Sequence, residues 1–190
     1  MSKKTIEVLR QLPMIFKYAD VSKFVSYPNV FLTRAIKAGY IERIMRGVYY
    51  NTFKRAPSYE EIACALRVPS YISCEWALNY HNLLLQVPTV CTVITLSSSV
   101  GKRNRVSYKG IIIEYSKIKE DLFFGYETHK SFNMAIPEKA LLDTVYLRNR
   151  IPFPDEIELE NINLDILHEM LQPFPETVKK KLSKFIKILL

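Results

Sequence analysis

Apolar positions in the first forty residues recur at three- and four-residue spacing, the period of amphipathic helices rather than of strands. Over residues 5–12, Ile6, Val8, Leu9 and Leu12 supply that period, and Pro13 stops the segment because its ring cannot continue a helix. A second short helix is expected over residues 20–25, with Asp20 as its N-cap and Val21, Phe24 and Val25 inward. The third starts at Pro28, tolerated where a missing N–H has no intrahelical partner, and ends at Gly39, a favoured residue just past a helix end. At about 100° per residue, Asn29, Thr33, Arg34 and Lys37 share one arc of about 140°, and Phe31, Leu32, Ala35, Ile36 and Ala38 take the other side. The period then changes. Residues 40–44 and 48–50 are β-prone runs joined by Met45-Arg46-Gly47, where Gly47 supplies the positive φ of a tight hairpin. Three helices followed by a hairpin with Arg43 and Arg46 near its tip predict a winged helix-turn-helix domain over residues 1–56.

Ala56-Pro57-Ser58 marks a boundary, and residues 57–190 read as a second, mixed α/β domain, which makes the whole chain α+β. Ser58-Tyr59-Glu60-Glu61 fits a capping box that opens a helix to about Arg67. Residues 70–73 read as a small turn before a helix over 74–85, with Trp76, Ala77, Tyr80, Leu83 and Leu84 inward. Strands are predicted at 90–96, 106–108, 110–115 and 128–135. A helix then runs from Pro137 to about Leu147, with Glu138 in a first turn where the helix dipole favours an anion. On this helix Ala140, Leu141 and Val145 are expected to pack under a sheet, Glu138 and Asp143 to cap or pair locally, and Lys139 to be solvated. In the last sixteen residues Val178, Leu182, Phe185, Ile186 and Leu189 form a stripe among lysines, suited to packing on the domain body rather than to a membrane surface.

Charge sharpens this division. The formal net charge is +8, and all of it belongs to residues 1–57, where eleven basic side chains face three acidic ones; the remainder is balanced. A basic block beside a neutral domain is the footprint of a polyanion-binding module. The polar arc of the third helix carries the matching side-chain types: Asn for adenine, Arg or Lys for guanine, Thr for a phosphate or a thymine methyl. Arg43 and Arg46 would lie over phosphates or a minor groove. The candidate DNA contacts are therefore Asn29, Thr33, Arg34, Lys37, Arg43 and Arg46.

Composition and motifs exclude more than they add. With 48% hydrophobic and 24% charged residues the chain can bury a core, so disordered and low-complexity classes are out. No run approaches the ~18–20 apolar residues of a membrane span, and the start MSKKTIEVLRQLP has no apolar signal core, so a cytoplasmic location without a membrane partner is expected. Cys64, Cys74 and Cys91 match no metal or redox spacing and read as reduced, half-buried core residues. The five glycines form no phosphate loop, His81, His129 and His168 show no metal spacing, and neither Glu-x-Lys, Gln-x-Lys nor GxSxG occurs. No catalytic residue, metal or cofactor is expected, and the chain reads as a non-enzyme. The basic loop 97–105, with Lys102, Arg103 and Arg105, reads first as solvated and second as a phosphate contact.

Three stretches carry a family resemblance: residues 38–50 (AGYIERIMRGVYY), the run from Pro69-Ser70-Tyr71-Ile72-Ser73 to Ala77-Leu78-Asn79-Tyr80-His81, and residues 135–143 (AIPEKALLD). In their order along the chain they resemble the AbiEi antitoxins and transcriptional regulators of bacterial abortive-infection operons, over roughly residues 1–150. The resemblance implies a winged-helix repressor that binds double-stranded DNA at its own operon promoter. It further implies a C-terminal antitoxin domain that counters a co-transcribed nucleotidyltransferase-type toxin without a stable complex, in a type IV toxin–antitoxin system of antiviral defence. Two other readings stay open: a nucleic-acid-acting enzyme with a winged-helix targeting arm, and a protein-interaction module, since one fold serves many uses.

Overall fold

Helix α1 (Lys3–Gln11), strand β1 (Ile15–Lys17), helices α2 (Tyr18–Ser22) and α3 (Pro28–Lys37), and strands β2 (Ile41–Met45) and β3 (Val48–Asn51) build the first part of the chain. A computed structural model describes residues 3–98, 104–151, 157 and 161–189. It divides into two units, Met1–Ser58 and Tyr59–Leu190. Helices and two sheets make the chain α+β.

In the first unit the strands form an antiparallel sheet in the order β1-β3-β2. Val8, Leu9, Leu12, Phe16, Val21, Leu32, Ala35, Ile41 and Tyr49 make its core. Strand β1 goes unpredicted because three residues are too short for an alternation to register, yet Phe16 stacks on Tyr49 at 5.6 Å across the β1–β3 pair. Helix α2 starts two residues earlier than expected. Asp20 is not its N-cap; its carboxylate sits in the first turn and accepts from the Lys17 N–H at 2.9 Å, which holds the carboxyl below the usual carboxylate range. Phe24, expected inward, is exposed. Helix α3 ends as predicted. The Gly39 N–H donates to Ile36 O and the Tyr40 N–H to Ala35 O, a Schellman closure that requires the left-handed φ of +74° at Gly39.

One buried amide ties this unit together. The Asn51 side chain donates to the carbonyls of Leu9 (2.6 Å) and Leu12 (3.2 Å) at the end of α1, and accepts from the Phe53 N–H at 3.1 Å. Asn51→Ala strands those carbonyls without a donor, so the first unit should lose about 1–3 kcal/mol, measured as lost protection in hydrogen exchange of its amides.

The second unit holds α4 (Tyr59–Leu66), β4 (Ser70–Ser73), α5 (Cys74–Tyr80), β5 (Val90–Thr95), β6 (Arg105–Tyr108), β7 (Ile111–Lys117), β8 (Tyr126–Thr128), β9 (Asn133–Ala135), α6 (Pro137–Arg148), α7 (Leu164–Leu171) and α8 (Glu176–Leu189). Its six-stranded mixed sheet runs β6-β7-β5-β4-β9-β8, with β5–β7 and β4–β9 parallel. Three expectations change here. Residues 70–73 are a central, fully buried strand and not a turn; buried on both faces, it shows no alternation. The helix expected to 85 stops at Tyr80, whose side chain is 46% exposed rather than inward. The strand expected over 128–135 is a β8–β9 hairpin.

Helix α6 packs against β4 and β9 as well as α5, α7 and α8, and every residue from Glu138 to Val145 is buried. On α8, Val178, Leu182 and Phe185 are buried; the side chains of Lys187 and Leu189 lie outside the described residues. The three cysteines are free and buried outright, not half-buried, and burial pushes each thiol up. Among the described residues, no helix is long and apolar enough to cross a membrane.

Candidate nucleic-acid interface

The polar arc of α3 arises because Leu32 and Ala35 are drawn into the core, which turns the residues on the opposite side of a 3.6-residue helix outward. Asn29, Thr33, Arg34 and Lys37 are all exposed. Helix α3 packs on β2, so the core that orients the arc also fixes the base of the β2–β3 hairpin. At its tip Gly47 has φ +82°, and Arg43 and Arg46 are exposed, Arg43 with its Nε donating to Met45 O at 3.4 Å. Six basic or polar side chains on one helix and one hairpin thus face water. Long cations so placed can form charge-assisted hydrogen bonds to phosphate oxygens, and Asn and Arg can bond base edges in pairs.

Apolar neighbours of the arc go unnoticed in sequence. Tyr27, immediately before α3, is 77% exposed, and Val30 in its first turn is 46% exposed. A shallow groove of about 270 Å³ is lined by Asn29, Val30, Thr33 and Arg34. A larger one, of about 700 Å³, runs past Phe24, Tyr27, Phe31, Arg34 and Tyr40. Ile36 and Ala38, assigned to the inward side, are exposed. Sequence periodicity places a residue within an arc but does not say which residues the neighbouring elements actually cover.

In the second unit, the segment 135–143 contains a buried ionic cluster. Lys139, expected to be solvated, is completely buried and pairs with Asp143 one turn later. Asp143 also accepts from the hydroxyls of Tyr71 (3.0 Å) and Ser73 (2.7 Å), and the Lys139 ammonium donates to the Tyr71 hydroxyl at 2.9 Å. The rings of Phe124 and Phe174 each lie 5.2 Å from that ammonium. Burial pushes the Asp143 carboxyl up and the Lys139 ammonium down, opposed by their mutual attraction. Gly125 makes room for the lysine stem: a Cβ there would stand 3.0 Å from Lys139 Cγ. Glu138, rather than capping locally, accepts from the Asn163 N–H at 2.8 Å, the residue that caps α7. The cluster is closed to solvent, and each of its buried polar atoms has a hydrogen-bond partner.

The remaining candidates resolve as follows. Of the basic loop 97–105, residues 99–103, with Lys102 and Arg103, lie outside the described residues. Arg105 is bound to Glu114, which also accepts from Arg148. Burial opposes ionisation of Glu114, but these two guanidinium groups hold its carboxyl below the usual range. His81 ends α5 with its Nε2 at 2.8 Å from Ala135 O. Tyr80 packs edge-on against His81, His129 and Phe132. Among the described residues no group of three or more His, Cys, Asp or Glu is placed to hold a metal.

No family model matches the chain, and no curated protein matches its sequence. Among solved structures, the chain is similar in fold to the RV2827C protein from Mycobacterium tuberculosis, with a TM-score of 0.65 at 9% identity, covering 96% of this chain and 74% of that one.

Proposed function

We propose that the chain is a double-stranded-DNA-binding regulator whose first unit acts as a winged helix-turn-helix. Helix α3 is its recognition helix and the β2–β3 hairpin its wing. It represses the promoter of its own operon and, through its second unit, serves as antitoxin to a nucleotidyltransferase-type toxin. The observation that carries the DNA-binding reading is the exposure of Asn29, Thr33, Arg34 and Lys37 on one arc of a helix that buries Leu32 and Ala35 in the core. The unit bearing that arc also holds the entire excess positive charge of the chain, which favours a polyanion over a neutral protein surface. The antitoxin role rests on the resemblance of residues 38–50, 69–81 and 135–143 to the AbiEi family.

A gel shift with the full chain and the DNA upstream of its own gene tests the first half. A preference of at least about a thousandfold over scrambled duplex is expected, the usual margin of specific binding. Equal binding of both duplexes at every salt concentration defeats the regulator reading. For the second half, co-expression should restore growth to cells induced for an adjacent nucleotidyltransferase-like gene; continued arrest removes the antitoxin role.

A further inference from the structure

Val30 falls inside the polar arc of α3. At about 100° per residue it projects between Lys37 and Arg34, and nearly half of its surface stays in water although the core lies on the other side of the same helix. It is the third residue of α3, and with Asn29, Thr33 and Arg34 it lines the shallow groove on that face. We infer that Val30 reads a thymine through its 5-methyl group, and so makes α3 select a T·A pair within the bound site.

This inference rests on the DNA-binding reading above and names what that surface recognises. The major groove offers a side chain donors, acceptors and a single kind of apolar group, the thymine methyl. Recognition helices meet base edges with their N-terminal residues, where Val30 stands. The positive charge of this unit and the flanking Arg34 and Lys37 match a phosphate-lined groove rather than an apolar protein partner. Arg34 and Asn29, within one turn of Val30, supply the polar readout that fixes the register in which a methyl can meet it.

Thymine-to-deoxyuridine replacement deletes only the methyl and keeps base pairing. The full chain is first used to enrich duplexes from a random-sequence pool, and each thymine of the enriched site is then replaced in turn. At one thymine per recognition helix the replacement should weaken binding about fourfold, the contribution of one buried methyl-sized group. Val30→Ala should bind the thymine and deoxyuridine duplexes alike, whereas Val30→Ile and Thr33→Ser should keep the difference. The inference is overturned if no thymine responds, if Val30→Ala retains the penalty, or if Thr33→Ser abolishes it, which would assign the contact to the threonine methyl. Should the pool enrich no duplex at all, the DNA-binding reading itself fails, a result separable from duplexes that bind but ignore the methyl.

Discussion

Lys139→Met should destabilise the second unit by about 3–5 kcal/mol, because it leaves the Asp143 carboxylate fully buried without its counter-charge. Methionine matches the lysine stem in volume and can pack among Tyr71, Phe124 and Phe174, so the loss reports charge rather than a cavity. The variant should also change its response to pH. With the ammonium gone, the folded-state pKa of Asp143, already raised by burial, rises further above its unfolded value. A carboxyl with a raised folded pKa contributes stability that is fully present below the unfolded value of about 3.9 and is lost as pH rises through the folded one. The deficit of Lys139→Met against the parent should therefore be largest at neutral pH and shrink toward pH 4. Adding Asp143→Asn removes the stranded charge and keeps an acceptor for Tyr71 and Ser73, so the double variant should recover most of the loss. The sole tryptophan, Trp76, lies in this unit with its Nε1 donating to Glu60 at 2.9 Å, so urea unfolding followed by its emission reads the effect directly. A single variant as stable as the parent at pH 7 would mean that the pair is neutral in the fold.

Arg34→Ala should cost about 1–3 kcal/mol of DNA affinity at one base pair and relax selectivity there, with Thr33→Ala acting the same way at its own position. Arg46→Ala, at the hairpin tip, should instead weaken all sequences alike and flatten the dependence of log K on log salt by about one unit. The difference follows from what each side chain would meet. A guanidinium in the major groove pairs with the two acceptors of one guanine, and one on the wing neutralises a phosphate that every sequence shares. Affinities measured on matched and single-base-altered duplexes across a salt series separate the two. Identical losses on every duplex for Arg34→Ala would remove α3 from base recognition and leave it a phosphate contact.

The residues of α3 illustrate how far a linear pattern reaches. Pro28 and Gly39 bounded the helix and the apolar spacing oriented it, because local stereochemistry acts wherever the chain goes. Val30 leaves no periodic trace because it is an isolated apolar residue in a polar arc, and only the folded unit shows that nearly half of its surface stays in water. Strand β1 failed for length, and β4 because Ser70, Tyr71, Ile72 and Ser73 are buried together on two faces of a central strand.

Lys139 marks the sharper boundary. An i, i+4 Lys–Asp pair on a helix ordinarily marks a solvated face, and the sequence alone predicts Lys139 to be solvated. Helix α6 has no solvated face at that point, since sheet and helices enclose it. From the chain alone came the charge partition, the elements with one buried side, and the absence of recognisable catalytic or metal spacing, all of them properties carried by neighbours in sequence. Which polar groups lie in the dark, what satisfies them and which apolar ones stay wet depended on elements tens of residues apart. Burial is a property of the assembled neighbourhood, and it can be read from periodicity only where a helix or strand divides core from water.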